Sequence, residues 1–191
     1  MNMLSRRSLA LGALSAAAVP ALAQPVPERR PLPGDPDDPR PRVYSMIGQP
    51  APDFAFPLRG GGTARLGDYR GKTLILYFGG LWCPDCVIDG PHTQALARLA
   101  ARDRRLAFLQ IHTRDRFGRW GSVDAYFNEY GYNWPVAFDA SREFSRDVYR
   151  IEWSPSFLII DRTGVIRRWR TDLTGSGVRA FFREAQAVAR A

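Results

Sequence analysis

The two cysteines of this chain stand three positions apart, in the run Cys83-Pro84-Asp85-Cys86, and the chain contains no others. A continuous apolar run at 73–78 precedes them, and a segment with helical spacing follows. At a helix N-terminus, free backbone N–H groups and the positive end of the helix dipole stabilise a thiolate. Because the thiolate is the nucleophile of disulfide exchange, a dithiol at such a junction predicts redox chemistry.

Two structural roles compete with redox chemistry for this pair. A zinc site needs about four ligands, and the two histidines, His92 and His112, stand at distant positions that give poor ligand spacing. A structural disulfide that closes so short a loop removes little chain entropy and is a weak staple. The sequence therefore favours a redox dithiol, with no metal and no cofactor other than the redox-active Cys83–Cys86 disulfide.

Residues 1–23 have the pattern of an export signal. Arg6 and Arg7 form a charged start, an apolar stretch at 9–19 follows, and small residues precede a cleavage site before Gln24. The apolar stretch is too short to span a bilayer as a stable helix. The arginine pair resembles a twin-arginine signal, and an ordinary secretory signal is the alternative. Both routes leave the cytoplasm, so we expect a periplasmic protein.

The segment after the signal, 24–42, contains seven prolines and several charges, which predicts an extended linker before a domain at 43–191. The formal net charge of +8 falls to +6 when Arg6 and Arg7 leave with the signal. The arginines are scattered along the chain, which favours solvated surface charge and argues against nucleic-acid binding. Weak association with an anionic membrane surface is the alternative.

From Val43 onward, strand-like and helix-like apolar patterns alternate, and 45% of all residues are hydrophobic, enough for a core. Strands are predicted at 73–78, 106–111, 136–138, 157–160 and 165–169, and helices at 84–101, 123–130, 143–149 and 177–190. The turn sequence at 161–164 ends in glycine and predicts a hairpin between the last two strands. This order of elements predicts a three-layer α/β domain with a mixed sheet.

Five motifs together resemble thioredoxin-fold proteins of the periplasmic TlpA/ResA-like (redoxin) thiol-disulfide oxidoreductase family, over about Ile47 to Ala191. The motifs are the entry at 47–54, the turn at 66–72, Trp-Cys-Pro-x-Cys at 82–86, the segment at 153–157 and the hairpin at 160–164. The resemblance implies a thioredoxin-like three-layer α/β/α domain with a central mixed β-sheet. It also implies a protein-disulfide reductase.

The resemblance further implies partners and site residues. Protein disulfides would be the substrates, for example cytochrome c apoproteins or oxidase-assembly factors, with a membrane electron donor of the DsbD/CcdA kind. We expect a monomer. Pro155 would be the cis-proline beside the dithiol, with Ser154 presenting its backbone to an extended substrate and Trp82 also contacting substrate. Pro84 and Asp85, between the cysteines, would tune the redox potential.

Three departures from the family pattern bear on mechanism. Gly79 and Gly80 replace a Trp-Ala pair before the motif, which predicts a more open approach to the thiols. Asp85 stands where the branch often has proline, and Asp89 stands where it has glutamate. Asp85 has two interpretations, a dipole-stabilising carboxylate of the first helical turn or a group in proton transfer. Asp89 likewise is either a solvated helix charge or a proton acceptor.

Thiol chemistry assigns the roles within the motif. Cys83, at an exposed helix start, would attack a substrate disulfide, and Cys86, deeper in the helix, would resolve the mixed disulfide. Asp89 could accept the proton of Cys86. Carboxylates near thiols raise the thiol pKa, so Asp85 and Asp89 predict a reductant.

Two other functions compete with this one. A thiol peroxidase shares much of the scaffold, but its reactive cysteine follows a threonine and a proline, which 78–82 does not contain. A copper chaperone for oxidase assembly would bind Cu(I) through thiolates and a histidine. Such proteins usually separate their cysteines by three residues, and here two intervene.

Overall fold

The computed structural model describes residues 44–174 and 176–191. The predicted export signal at 1–23, the linker at 24–42 and the first residue of the domain, Val43, lie outside the described residues. Among the described helices, none combines the length and the apolar character that crossing a membrane requires.

The described chain forms a five-stranded mixed sheet, a separate two-stranded hairpin and four α-helices. The strands are β1 (Ala55–Pro57), β2 (Thr63–Arg65), β3 (Thr73–Gly79), β4 (Leu106–Thr113), β5 (Val136–Asp139), β6 (Ser156–Ile160) and β7 (Ile166–Arg170), and the helices are α1 (Pro84–Ile88), α2 (Gly90–Ala101), α3 (Val123–Tyr130) and α4 (Gly177–Arg190). The sheet order is β5-β4-β3-β6-β7. Strands β3, β4 and β5 run parallel, while β6 and β7 are antiparallel to their neighbours. The predicted mixed-sheet α/β fold is confirmed.

Strand β3 lies at the centre of this sheet, and all seven of its residues are buried. Its side chains alternate between the two faces. Ile75 and Tyr77 pack with α2, α3 and α4, whereas Leu76 and Phe78 pack against the segment 44–66 and Tyr149. Burial on both faces explains why this strand reads as a continuous apolar run without the alternation of an edge strand.

The helix predicted at 84–101 is divided in two, and Asp89 lies at the division between α1 and α2. Pro91 causes the break, because a proline has no N–H to donate to the carbonyl four residues earlier and its ring crowds that carbonyl. That carbonyl belongs to Val87, and the Tyr126 hydroxyl donates to it instead at 3.3 Å. Asp89, at this break, lies inside the protein with an exposed fraction of 0%.

Two further elements differ from the sequence prediction. The helix predicted at 143–149 is a single π-helical turn, Phe144–Val148. The β1–β2 hairpin was not predicted, because its strands have three residues each and the glycines 60–62 that join them give no periodic signal. The hairpin predicted at 161–164 is present, with Gly164 in a left-handed conformation at φ +93°.

Candidate active site

The dithiol lies where β3 passes into α1. Cys83 is the N-cap residue of α1, and its sulfur accepts the backbone N–H of Cys86 at 3.4 Å. Pro84 follows at the first helical position, where the missing N–H of proline has no cost. The sequence predicted an exposed Cys83, but Cys83 is 5% exposed and Cys86 is 7% exposed. Exposed area therefore does not distinguish the two thiols.

The two thiols differ in their pKa values, in opposite directions. The pKa of Cys83 is lowered, chiefly by a hydrogen bond with the Cys86 side chain, against the opposing effect of burial. Backbone N–H groups of the helix start lower it further, while the charge of Asp85 raises it. The pKa of Cys86 is raised well above its ordinary value, chiefly by burial and then by Cys83. Burial and the bond between the thiols, more than the carboxylates, determine this difference.

Tyr77 lies beneath Cys86 and was not identified as a site residue from the sequence. Its ring stacks on Phe157 with centroids 4.5 Å apart, and its hydroxyl hydrogen-bonds the Cys86 thiol. Burial, reinforced by the nearby cysteines, holds the pKa of Tyr77 well above its usual value, so the hydroxyl keeps its proton. A tyrosine inside an otherwise apolar buried strand was the signal for it in the sequence.

Asp89 lies in the same buried region. Its complete burial excludes the interpretation as a solvated helix charge. Its negative charge contributes to raising the pKa of Tyr77. The carboxylate thus disfavours ionisation of the hydroxyl that hydrogen-bonds Cys86. Its role as acceptor of the Cys86 proton stays a prediction.

Gly79 and Gly80 do not open the approach to the thiols, and that prediction is wrong. Both glycines are buried. A Cβ on Gly79 would meet the Tyr77 hydroxyl oxygen at 2.5 Å, and one on Gly80 would meet the Trp82 indole nitrogen at 2.8 Å and His112 Cε1 at 3.0 Å. The missing side chains therefore make room for neighbouring rings inside the protein.

His112 supports the loop that carries the dithiol. Its Nε2 accepts the backbone N–H of Leu81 at 3.0 Å. Burial lowers the pKa of His112 to about 4, so the ring is neutral and can accept this bond at physiological pH. Together with Cys86 and Tyr77 it lines a cavity of about 10 Å³. Among the described residues, no group of three or more His, Cys, Asp or Glu side chains could hold a metal ion.

The loop before β6 lies against Cys83. The Ser154–Pro155 peptide bond is cis, as the resemblance implied. The Cys83 thiol donates to the Ser154 carbonyl oxygen at 3.4 Å. Pro155 is buried and Ser154 half-buried, while the preceding Trp153 is 46% exposed. The structure thus brings Ser154 and Pro155 to the dithiol, and their contact with substrate stays a prediction.

Trp82 is the other aromatic residue beside the dithiol, and it is half-buried. Its indole N–H donates to the Thr113 carbonyl oxygen and lies 3.2 Å from the Thr113 hydroxyl. The guanidinium carbons of Arg114 and Arg142 lie 4.5 Å and 5.3 Å from the centre of its ring. Trp82 is therefore already covered by two cations, which the sequence did not reveal.

Comparisons with known proteins agree with this geometry. A model of the AhpC/TSA family matches residues 47–169. The thiol-disulfide oxidoreductase ResA of Geobacillus kaustophilus is 26% identical over 122 residues, which cover 64% of this chain and 67% of that protein.

Solved structures with the same fold include two bacterial proteins. The thiol:disulfide interchange protein of the thioredoxin family from Chlorobium tepidum has a TM-score of 0.58 and 24% identity, over 73% of this chain and 95% of that one. The pneumococcal exposed lipoprotein thioredoxin of Streptococcus pneumoniae has a TM-score of 0.54 and 26% identity, over 70% of this chain and 99% of that one. These likenesses support the thioredoxin-like fold inferred from the sheet order.

Proposed function

The chain belongs to the AhpC/TSA family, and we propose on this basis that it is a thiol-disulfide oxidoreductase that reduces disulfides of exported proteins. The name of its relative ResA supports the reaction class. The observation that carries the proposal is the position of Cys83 at the start of α1, where its sulfur accepts the backbone N–H of Cys86 at 3.4 Å. The directions of the pKa shifts agree with it, since the pKa is lowered at Cys83 and raised at Cys86. One thiol is thereby prepared to attack, and the other is held protonated until it is needed.

In the first step, the Cys83 thiolate attacks one sulfur of the substrate disulfide. A Cys83–substrate disulfide forms and the substrate S–S bond breaks. The leaving sulfur departs with the bonding electron pair and takes up a proton. Backbone N–H groups at the start of α1 stabilise the attacking thiolate. The substrate backbone would lie along Ser154, whose carbonyl oxygen is already 3.4 Å from the Cys83 sulfur.

In the second step, Cys86 loses its proton and attacks the Cys83 sulfur. A Cys83–Cys86 disulfide forms, and the second substrate sulfur leaves with its electron pair and is protonated. Two electrons have then passed from the dithiol to the substrate. Tyr77, whose hydroxyl hydrogen-bonds Cys86, stabilises the transient Cys86 thiolate. Asp89 is the proposed acceptor of the proton, in the buried region beside Tyr77.

The buried thiol of Cys86 supports reduction of the substrate as the direction of the reaction. A strong oxidant owes its potential to a stabilised reduced form, and burial disfavours the thiolate of Cys86. The lowered pKa of Cys83 acts the other way, which weakens the sequence argument that two carboxylates make a reductant. We propose reduction with an external dithiol as electron donor, since the chain has no third cysteine.

A location outside the cytoplasm rests on the signal-like sequence at 1–23. One structural relative is named as an exposed lipoprotein, which is consistent with this location. Sequencing the N-terminus of the protein recovered from the periplasm tests the proposal. We expect it to begin at Gln24, and an intact Met1 would contradict export with cleavage.

The reaction is tested with the full chain and insulin, whose interchain disulfides precipitate the B chain when they are reduced. With dithiothreitol as electron donor, we expect the protein to accelerate precipitation and Cys83→Ser to abolish the acceleration. Peroxide consumption and bound Cu(I) are measured on the same sample. Rapid peroxide turnover without insulin reduction would favour the peroxidase alternative, and one tightly bound Cu(I) per chain would favour the copper chaperone.

A further inference from the structure

Two arginines meet on the Trp82 ring although they come from different loops. Arg114 follows β4 and Arg142 follows β5, and their guanidinium carbons lie 4.5 Å and 5.3 Å from the ring centre. The backbone N–H groups of both residues donate to one oxygen, the carbonyl of Asp139, at 2.9 Å and 3.1 Å. One carbonyl group at the end of β5 thus holds the backbone of both arginines in place.

Both arginines have a backbone conformation that residues with a side chain seldom adopt. Arg114 and Arg142 each have φ of +67°, in the left-handed region that favours glycine, asparagine and aspartate. The Asp139 side chain holds the second loop, because it accepts the N–H and the hydroxyl of Ser145 at 2.9 Å and 2.6 Å. Both loops therefore place an arginine at a backbone position that glycine, asparagine or aspartate would adopt with less strain.

The charges of this arginine pair are not neutralised within the described part of the chain. Neither guanidinium has a carboxylate oxygen within 4.0 Å there, and the neighbouring Arg146 pairs with Asp147 at 2.7 Å. The pKa of Arg142 is lowered by burial and then by the charges of Arg114 and Arg146. Like charges gathered on one ring, half-buried and without a counter-ion, form a site that an anion would stabilise.

The arginine pair lies next to the reacting sulfurs. Trp82, which it covers, immediately precedes Cys83, and the charges of both cysteines act on Arg142. Guanidinium groups recognise carboxylates through parallel N–H···O hydrogen bonds. A peptide that reacts at Cys83 would pass beside Trp82, which carries the two arginines, so a carboxylate next to the substrate cysteine is the anion best placed to reach them.

We propose that Arg114 and Arg142 form a carboxylate-binding subsite that selects substrates carrying an acidic residue beside the disulfide. The proposal rests on the thiol-disulfide exchange proposed above and adds a substrate class to it. The subsite acts on recognition: it favours one set of peptides over another and leaves the order of sulfur exchange unchanged.

The test uses two synthetic peptides with one disulfide each, identical except that aspartate or asparagine flanks the cysteines. The second-order rate constant for reduction by the reduced full chain is measured with each peptide. We expect a rate ratio, aspartate over asparagine, of about five to ten for the wild type, the scale of one charge-assisted hydrogen bond near a surface. In the double variant Arg114→Gln/Arg142→Gln the ratio should fall to about one.

Arg168→Gln is the matched control. Arg168 lies on β7, is exposed, and approaches Glu184 at 3.8 Å, so this variant should keep the wild-type ratio. A second measurement needs no variant, because added salt should lower the wild-type ratio toward one. An unchanged ratio in the double variant, or a ratio near one in the wild type at low salt, would overturn the subsite. No reduction of either peptide by the wild type would overturn the proposed function and the subsite with it.

Discussion

The dithiol separates two regions with opposite character. Beneath Cys86 lies a floor formed by Tyr77, Asp89 and His112, each no more than 2% exposed. Beside Cys83 lies a rim formed by Trp82 and the arginine pair, half-buried and cationic. Tyr77 in the floor hydrogen-bonds the thiol that must lose its proton, whereas the rim contains the subsite that we propose for substrate recognition.

The two regions differ because different parts of the fold supply them. The floor comes from β3, the end of β4 and the break between α1 and α2, and its side chains are buried. The rim comes from the loops after β3, β4 and β5, at the C-terminal ends of parallel strands, where binding residues commonly lie in α/β folds. A change in the floor should therefore affect all substrates alike, and a change in the rim should affect selected ones.

The largest effect is expected for Cys86→Ser. Without the resolving sulfur the second step cannot occur, so turnover should cease while the Cys83–substrate disulfide accumulates. Non-reducing electrophoresis and intact mass measure the trapped species. Cys83→Ser is the control and should trap nothing. A mixed disulfide formed by Cys83→Ser would reverse the assignment of the two roles.

Gly80→Ala should disturb floor and rim together. The new methyl group would lie 2.8 Å from the Trp82 indole nitrogen and 3.0 Å from His112 Cε1, and overpacking of this kind costs about 1–3 kcal/mol. Urea unfolding measures the loss of stability. The matched control is Gly67→Ala, where no atom lies within 4 Å of the added carbon. Equal stability of the two variants would show that Trp82 and His112 move aside easily.

Tyr77→Phe changes the floor alone. The variant keeps the ring that stacks on Phe157 but loses the hydroxyl that hydrogen-bonds Cys86. A hydrogen bond to a charged group contributes about 1.5–3 kcal/mol, so resolution should slow by about tenfold or more. The measurement is the release rate of a small thiol from a preformed Cys83 mixed disulfide.

The control for this variant is Tyr149→Phe on the opposite face of the sheet, which loses a hydrogen bond to the Pro52 carbonyl oxygen at 2.7 Å. It should lose stability without slowing resolution. If Tyr77→Phe releases the small thiol from the Cys83 mixed disulfide at the wild-type rate, the Tyr77 hydroxyl has no part in resolution.

Asp85→Asn should have the smallest effect. The Asp85 charge raises the pKa of Cys83, so its removal should lower that pKa further and make the protein slightly more oxidising. The side chain is half-exposed, and water screens its charge. Equilibration with glutathione redox buffers measures the potential. A more reducing variant would contradict the sign of this effect.

Local patterns in the sequence predicted most of the fold. Strand β3 was recognisable as a continuous apolar run and α4 by its amphipathic spacing, because a buried strand and a one-sided helix each have a simple periodicity. The helix break was missed although Pro91 marks it in the sequence. The 84–101 prediction followed apolar spacing and gave no weight to the hydrogen bond that proline removes.

The sequence predicted those site residues that are close together in the chain, and it did not predict those that only the fold brings together. The Cys83–Cys86 spacing and its position before a helix define the dithiol, and a family resemblance added Pro155. The function of Gly80 was misread because Trp82 and His112, which occupy the space beside it, cannot be placed without the fold. The arginine pair could not be predicted for the same reason. Arg114 and Arg142 are 28 positions apart in the sequence, and their loops meet only because β4 and β5 are neighbouring strands.

The central claim is that the burial of Cys86, the bond between the thiols and the position of Cys83 at the helix start make the two thiols unequal. The most direct test is alkylation of the reduced protein by iodoacetamide across a pH series, with each cysteine quantified separately by mass spectrometry. Cys83 should react first at every pH, with a midpoint below that of a cysteine in an unfolded peptide, because its pKa is lowered. Cys86 should react only at a pH above that reference, because its pKa is raised. Equal rates and a shared midpoint would contradict the account.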